Sequence, residues 1–393
     1  MTPHAPLHGL RVLDLSRILA GPMAAQLLAD LGADVIKIER PGIGDDSREW
    51  APPMMMPNPR EPLEESVYFW TCNRGKRSAT VDITTPNGQA LITRLARDAD
   101  VLVENYKVGT LSRYSLDYTS LQAANPRLIY CSITGFGQTG PLRERPGYDT
   151  IIQALGGLMS ITGNADDAPG GGPRKSGIAV VDQMTALYSV VGILAALQER
   201  HMSGLGQHID MSLLDVQVAA LTNVGMNYLA SGKVPSRLGN RLTTVYPSDS
   251  FRCSDGDLML IVGNDSQFRR FCRAMNLDGL ATDPRFARNA DRLANAALLE
   301  PLLRAAFEQK TVDQCEALLT EAGVPAAPIN DIAQVFRNPQ VVARGMVRDT
   351  CRPDGTISRT LANPIRMSRS SIRDNRVPPH LGEHTADVQQ GWS

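Results

Sequence analysis

The sequence has little excess charge, few cysteines and no long uninterrupted apolar run. Its 40 Lys and Arg residues face 41 Asp and Glu residues, so the net charge is −1. That balance argues against a nucleic-acid partner, because the phosphate backbone selects a basic face. The six cysteines are scattered with no Cys-x-x-Cys pair, which is typical of reduced, mostly buried thiols in a cytosolic protein.

The first residues of the sequence do not show a basic segment followed by an apolar one, so we expect no signal peptide. The most apolar run, 186–197, is too short to span a bilayer, and we expect a cytoplasmic protein with no membrane partner.

The common cofactor and metal motifs are also missing. Residues 135–140 match G-x-G-x-x-G after a predicted strand, but Pro141 and the residues after it are poor helix formers. A glycine-rich turn is therefore favoured over a dinucleotide site, which needs a helix to begin there. His380 and His384 are four residues apart, but Gly382 and two preceding prolines oppose a helix, so we favour a surface tail over a metal site. Gly-x-Ser-x-Gly, Walker A and His-Glu-x-x-His do not occur.

Strand and helix signals alternate through the first two hundred residues. Strand signals lie at 11–15, 34–39, 78–83, 101–103 and 128–134, helix signals lie at 23–31 and 86–99, and a long loop is predicted at 41–62. Strands separated by helices are typical of βαβ units, so we predict an α/β chain with a doubly wound parallel sheet.

The second half of the chain has a different character. The pattern becomes helical from 149 to 200, and 216–329 carries a hairpin signal at 251–262. Helical segments follow at 267–275 and 298–322, which favours a smaller α+β domain. A length of 393 residues agrees with roughly two domains.

Two acidic positions and a set of basic residues are candidates for chemistry. Asp182 is the only charged side chain from 177 to 197. An acid in apolar surroundings is either a helix cap or a functional group, and pattern alone favours the cap. Asp149, which follows Tyr148, has the same two interpretations. Basic residues lie near predicted strand ends, where a doubly wound sheet binds ligands, and they suit a polyanion such as a nucleotide phosphate: Arg17, Lys37, Arg40, Arg74, Lys76, Arg77, Lys107 and Arg113.

A long, ordered set of motifs resembles the class III CoA-transferases, the family of formyl-CoA transferase and carnitine CoA-transferase. The motifs are Leu13-Asp14-Leu15-Ser16-Arg17-Ile18-Leu19-Ala20-Gly21-Pro22, Leu31-Gly32-Ala33-Asp34-Val35-Ile36-Lys37-Ile38-Glu39, Asn73-Arg74-Gly75-Lys76-Arg77-Ser78, Val103-Glu104-Asn105-Tyr106, Gly147-Tyr148-Asp149, Val191-Gly192-Ile193-Leu194-Ala195-Ala196-Leu197, Gly239-Asn240-Arg241 and Leu381-Gly382-Glu383-His384-Thr385. The resemblance implies a Rossmann-like large domain formed by 1–215 and 330–393, a small α+β domain at 216–329, and an interlocked homodimer.

The resemblance also implies roles for individual residues. The family nucleophile, an Asp just before a long apolar helix, falls on Asp182, which overturns the preference for a plain cap. Contacts to CoA carry over to Ile18, Leu19, Ala20, Arg40, Asn73, Arg74, Gly75, Lys76, Asn105, Tyr106, Lys107, Arg113 and Tyr148. Arg17 stands where the formyl-CoA enzyme has His. Pro146 stands where that enzyme has Lys, so Arg143 or Arg145 would have to replace that contact. The consecutive glycines of the formyl-CoA enzyme's substrate loop are missing here, and Gly170 to Gly172 are not assigned that role.

The implied activity is CoA transfer from an acyl-CoA to a carboxylic acid through an aspartyl-CoA thioester. CoA is then a substrate, and no tightly bound cofactor is expected. Arg17 could pair with a second carboxylate, so we expect a small dicarboxylate acceptor and succinyl-CoA as a candidate donor. Two alternatives stay open: a 2-methylacyl-CoA racemase and a non-catalytic CoA-binding protein. The racemase histidine would fall on Tyr148, a poor base because the reference pKa of tyrosine is about 10.

Overall fold

The computed structural model describes residues 4–50, 66–352 and 357–392. The loop predicted at 41–62 is covered up to residue 50, where it contains a 3₁₀ turn (Asp46–Arg48), and its remainder lies outside the described residues. The strands are β1 (Arg11–Asp14), β2 (Asp34–Glu39), β3 (Arg77–Thr80), β4 (Val101–Glu104), β5 (Ile129–Thr134), β6 (His208–Ser212), β7 (Ser248–Arg252), β8 (Asp257–Ile261), β9 (Ala326–Pro328), β10 (Val347–Cys351) and β11 (Ile357–Leu361). The helices are α1 (Ala20–Asp30), α2 (Val67–Trp70), α3 (Pro86–Asp98), α4 (Tyr118–Ala124), α5 (Asp149–Leu155), α6 (Leu158–Ile161), α7 (Val180–Ser203), α8 (Leu213–Ala219), α9 (Thr222–Ser231), α10 (Asp265–Ala274), α11 (Asp278–Thr282), α12 (Asn289–Ala294), α13 (Ala296–Glu308), α14 (Val312–Glu321), α15 (Ile332–Arg337), α16 (Pro339–Ala343) and α17 (Thr385–Gln390).

Six strands form a parallel sheet in the order β3-β2-β1-β4-β5-β6. Val12 of β1 lies opposite both Val35 of β2 and Val101 of β4. The strand order therefore reverses direction between β1 and β4, and a crevice opens there at the carboxyl ends of the strands. The α/β class and the parallel sheet predicted from the sequence are confirmed.

Helices cover both faces of this sheet because its strands are apolar on both sides. Val12, Val35 and Val101 point into a core shared with α1, α7 and α8. The next residues along the same strands, Leu13, Ile36 and Leu102, point into the opposite core with α3 and α4. The alternation of side chains along each strand thus feeds two separate cores.

The chain divides into two compact units. The first contains Met1–Leu158, Lys175–Gly232 and Pro339–Ser393, and the second contains Met159–Arg174 and Lys233–Asn338. In the second unit, β7, β8 and β9 form an antiparallel sheet over a core with stacked Phe251 and Phe307 rings, 4.6 Å apart. The domain bounds drawn from the resemblance, 1–215, 216–329 and 330–393, stay a prediction.

Two segments differ from the sequence-based expectation. The helical signal at 298–322 is two helices, α13 and α14, because Thr311 and Gln314 form a capping box that begins α14. The segment 380–384 is not a free surface tail. The Gly382 N–H donates to the Ser78 hydroxyl at 2.9 Å, and the Thr80 N–H donates to the Thr385 hydroxyl at 3.0 Å. The tail therefore covers the open edge of β3.

Helix α7 is the longest helix of the described residues. Its 24 residues exceed the apolar run seen in the sequence, and by length and composition it could cross a membrane. That is weak evidence, because the core helix of a soluble protein meets the same criteria. One face of α7, including Val181, Ala186 and Ile193, is fully buried against the sheet core.

Candidate active site

A cleft of about 320 Å³ opens in the first unit, where the strand order reverses. Segments that follow β1, β4 and β5 form its walls, and the first turn of α7 contributes an acid. Its lining comprises Arg17, Ile18, Leu19, Ala20, Asn105, Tyr106, Lys107, Val108, Ile133, Thr134, Gly135, Arg143, Arg145, Pro146, Gly147, Tyr148, Asp182 and Leu213. Gly135 and Gly147 approach so closely that a Cβ on Gly135 would lie 2.6 Å from the Gly147 Cα. No helix begins at 135–140, so the glycine-rich turn interpretation holds.

Asp182 is the third residue of α7 and lies in this cleft. Burial raises the pKa of its carboxyl to about 7, and the nearby Asp149 carboxylate raises the pKa further in the same direction. The carboxyl is thus little solvated while it remains open to a ligand. A weakly solvated carboxylate that ionises near neutral pH is suited to nucleophilic attack.

Asp149 fixes the first turn of α7. Asp149 begins α5, as expected, but its carboxylate accepts from the N–H groups of Val181 at 2.8 Å and Asp182 at 3.2 Å. Ala179, at the cap position of α7, has no side chain able to do this. The second Asp149 oxygen accepts from Gln153 at 2.6 Å. The backbone that carries Asp182 is therefore anchored by an acid 33 residues earlier in the chain.

The turn after β1 has an unusual backbone. Ile18 has φ of +74°, a left-handed conformation that is costly for a β-branched residue. Its N–H donates to the Asp45 carboxylate at 3.2 Å. Asp45 is itself ion-paired at 2.8 Å with Lys37, and both side chains are completely buried. A buried ion pair beneath the turn thus holds Ile18 against the cleft.

Arg17 lies in the same turn, and its side chain is 33% exposed. Its backbone N–H donates to the Asn105 amide oxygen at 2.8 Å, and its Nη1 donates to Asp46 at 2.9 Å. The guanidinium lies 5.3 Å from the centre of the Tyr106 ring. Its Nε is buried and has no hydrogen-bond partner among the described residues. The exposed part of the guanidinium, rather than the buried Nε, is therefore available to a carboxylate or carbonyl ligand in the cleft.

Comparison with known proteins shows the family to which this chain belongs. A family model, CoA-transferase family III, matches residues 7–385. The chain belongs to CoA-transferase family III. It is 49% identical to a succinate–glutarate CoA-transferase of Agrobacterium fabrum over 98% of this chain and 94% of the relative. It is 40% identical to the human succinyl-CoA:glutarate CoA-transferase, over 98% of this chain and 85% of the relative. A crystal structure of a CAIB/BAIF family protein from Brucella suis superposes with a TM-score of 0.88 at 47% identity, covering 98% of this chain and 99% of the other.

Several residues expected to contact CoA line the cleft of this family III enzyme or an adjoining groove. Ile18, Leu19, Ala20, Asn105, Tyr106, Lys107, Arg145 and Tyr148 all lie in the cleft lining. Arg40 lies in a neighbouring groove of about 260 Å³ that Arg17 and Tyr106 also line. Arg143 and Arg145, the two candidates to replace the Lys of the formyl-CoA enzyme, both line the cleft. Arg113 is exposed on a 3₁₀ turn (Leu111–Tyr114) and lines neither cavity.

The segment 73–76 lies below the cleft rather than in its lining. The Lys76 ammonium is buried and donates to the Asp14 carboxylate, the Pro22 carbonyl and the Asn73 amide oxygen, each at 2.8 Å. Arg74 is buried in an ion pair with Asp30. Gly75 has φ of +74°, which favours glycine at this turn. Their roles in CoA binding stay a prediction, and their observed contacts brace the turns around β1.

Two features of the site have little or no signal in the sequence. Asp45 accepts a hydrogen bond from the Ile18 N–H, and Asp46 forms ion pairs with Arg17 and Arg40. The only sequence signal for these two acids is that they form an acidic pair shortly after β2. Tyr68 is the second feature. Burial raises its pKa to about 12, and the charges of Asp182 and Asp149 contribute to the increase. The Tyr68 phenol therefore stays protonated at neutral pH, and Tyr68 lies outside the cleft lining.

Proposed function

We propose that this family III CoA-transferase moves CoA from succinyl-CoA to a small dicarboxylic acid of the glutarate class, with Asp182 as the nucleophile. The observation that carries the proposal is the half-buried Asp182 carboxyl in a cleft that the partly exposed Arg17 side chain also lines. The names of relatives at 49% and 40% identity support the pair of acids.

The exchange runs through four acyl transfers. The ionised Asp182 carboxylate attacks the thioester carbonyl of succinyl-CoA. The C–S bond breaks, which releases CoA thiolate and forms a mixed anhydride between Asp182 and the succinyl group. The thiolate then attacks the Asp182 carbonyl, which releases succinate and leaves an aspartyl-CoA thioester. The acceptor carboxylate attacks this thioester, expels the thiolate and forms a second anhydride. Attack of the thiolate on the acceptor carbonyl yields the new acyl-CoA and restores Asp182. Covalent catalysis divides one difficult exchange into four easier steps.

Groups around Asp182 suit these steps. CoA held by Arg40, Lys107 and Arg145 would keep the released thiolate near the enzyme-bound acyl group, which supplies proximity. The racemase alternative needs a second acid or base opposite Asp182. No histidine lines the cleft in the part of the chain that the structure describes, and Tyr148 occupies the corresponding position.

The proposed assembly is an interlocked homodimer of Rossmann-like subunits in the cytoplasm. The strand order β3-β2-β1-β4-β5-β6 supports the Rossmann-like description. The first unit, formed from segments at both ends of the chain, supports the predicted large domain, with 216–329 as the predicted small one. Neither nucleic acid nor a membrane is part of the proposal, and no cofactor is bound tightly.

The test is substitution of Asp182 with trapping of its acyl intermediates. Asp182→Ala is expected to lower the rate of CoA exchange between succinyl-CoA and glutarate by a factor on the order of 10⁴. In the wild-type enzyme, hydroxylamine added during turnover is expected to convert Asp182 into its hydroxamate, detected by peptide mass spectrometry.

Asp215 offers a matched control. It is the third residue of α8, as Asp182 is of α7, but it is exposed and outside the cleft lining. Asp215→Ala removes the same charge from the same helical position and is expected to leave exchange unchanged. Wild-type exchange in Asp182→Ala, or a hydroxamate at any other residue, would refute the covalent proposal.

A further inference from the structure

A second cavity of about 250 Å³ adjoins the cleft but has no part in the proposed exchange. Tyr106, Lys107 and Val108 line both spaces, so this short segment is a shared wall. The far side of the second cavity is formed by Glu104, Tyr118, Tyr130, Ser132 and His208. These residues come from β4, β5, β6 and α4, all within the first unit.

Glu104 is an unusual buried acid because no cation of the described residues is paired with it. Its side chain accepts from the Tyr106 N–H at 2.8 Å, and it is hydrogen-bonded to Ser132. The other buried acids of the described chain, Asp149 apart, each form an ion pair with Lys or Arg: Asp14, Asp30, Glu39, Asp45, Asp249 and Asp374. Asp149 instead caps α7. Burial without a cation raises the pKa of Glu104 to about 7, and the Asp210 charge adds to the effect.

Aromatic faces surround this acid. The Tyr118 ring stacks on His208 with centroids 5.2 Å apart, and Tyr130 meets both rings edge-on. The Ser132 hydroxyl lies 3.0 Å from Nε2 of His208. Burial lowers the pKa of His208, so the imidazole is not a counter-ion for Glu104. Asp117 adds a second carboxylate to the lining, and the cation among the lining residues, Lys107, is exposed.

We propose that this cavity binds a small organic ammonium ion, with Glu104 as its counter-ion and the Tyr118 and Tyr130 rings as its walls. An alkylammonium group satisfies both features, because it pairs with a carboxylate and is attracted to aromatic faces. A hard metal ion such as Mg²⁺ is a poorer match, since it prefers a set of oxygen ligands and retained water. The site does not depend on the acids exchanged at Asp182.

The test uses choline chloride and tetramethylammonium chloride as probes, with sodium chloride at the same ionic strength as the blank. Titration calorimetry on the wild-type chain is expected to show saturable binding of one ion per chain. The isosteric change Glu104→Gln is expected to weaken that binding by roughly 10- to 100-fold, which is the usual value of a buried charge-assisted contact. The exposed Glu321 supplies the matched control: Glu321→Gln changes the net charge equally and is expected to leave the affinity unaltered.

A second pair of variants isolates the aromatic contribution. Tyr118→Phe keeps the ring and is expected to bind choline as the wild type does, whereas Tyr118→Leu is expected to bind it several-fold more weakly. Circular dichroism on each variant confirms folding before titration. The proposal fails if the probes bind no better than sodium, or if Glu104→Gln or a folded Tyr118→Leu binds choline with wild-type affinity.

Discussion

Arg17 lines the cleft with a partly exposed guanidinium, and this sets a prediction about the acceptor acid. Its Nη1 is engaged by Asp46, while the side chain as a whole is 33% exposed and lines the cleft. A second carboxylate on the substrate would pair with the exposed part of this guanidinium. Arg17→Ala is therefore expected to lower kcat/KM for glutarate roughly 10- to 100-fold more than for a monocarboxylic acid of equal length, as for a lost charge-assisted hydrogen bond.

Arg40 is the control for this change because it pairs with the other oxygen of Asp46, at 2.6 Å, and does not line the cleft. Arg40→Ala is expected to raise KM for the acyl-CoA without altering the ratio between the two acids. A wild-type acid preference in Arg17→Ala would remove Arg17 from the acceptor site.

Asp182 also predicts a pH dependence of stability. Its folded-state pKa of about 7 lies above the value of about 3.9 for an unfolded chain. Between these values the native state binds more protons than the unfolded state, so the free energy of unfolding decreases as the pH rises through this window. Asp182→Asn removes that titration. The variant is expected to be more stable than the wild type at pH 8 by roughly 1–3 kcal/mol, after allowance for partial exposure, and to match it near pH 4.

Urea unfolding at fixed protein concentration, at pH 4, 6 and 8, measures this difference. Asp215→Asn, at the equivalent exposed position of α8, is expected to follow the wild-type curve at all three values. Equal stability of Asp182→Asn and the wild type at pH 8 would show that the carboxyl carries no desolvation penalty, contrary to its burial.

At the scale of elements, the sequence predicts those helices and strands whose signals are local. β2 carries Val35, Ile36 and Ile38 between a glycine-alanine turn and a loop, and its predicted bounds, 34–39, match the structure. Helix α3 begins where Thr85 and Pro86 predict it, because Thr85 caps the Gly88 N–H and proline fits the first turn. β6 gives no such signal. His208-Ile209-Asp210-Met211-Ser212 is an edge strand with alternating exposure, so it lacks an apolar run.

The site was less predictable because its geometry depends on contacts between distant residues. Resemblance identified Asp182, but no local pattern shows that Asp149 would cap α7. The turn at Ile18 is also hidden, since a β-branched residue with φ of +74° contradicts local preference. That conformation coincides with a hydrogen bond from the Ile18 N–H to Asp45, which is 27 residues later and is ion-paired with Lys37. The contact between Ile18 and Asp45 arises only when the sheet places the ends of β1 and β2 side by side.

At the scale of the whole molecule, two helices of the first unit expose large apolar side chains. Leu187 and Val191 on α7, and Met226 and Leu229 on α9, are 53–75% exposed. Large exposed apolar side chains are typical of surfaces that a partner covers. The proposed homodimer would cover these side chains, and the same contacts would account for a helix that is apolar on both its buried and its exposed faces.

Interlocking makes a sharper prediction than dimerisation alone, because threaded chains separate only by unfolding. Light scattering is expected to give twice the 42.6 kDa chain mass, unchanged on dilution. When affinity-tagged and untagged dimers are mixed while folded, no mixed dimer should be recovered on the affinity resin. Unfolding the same mixture in urea and refolding it together should produce mixed dimers, which serves as the control for the assay.

A mass of 42.6 kDa would exclude the dimer. Mixed dimers formed between folded proteins would instead support two chains that associate face to face, because exchange without unfolding is incompatible with threaded subunits.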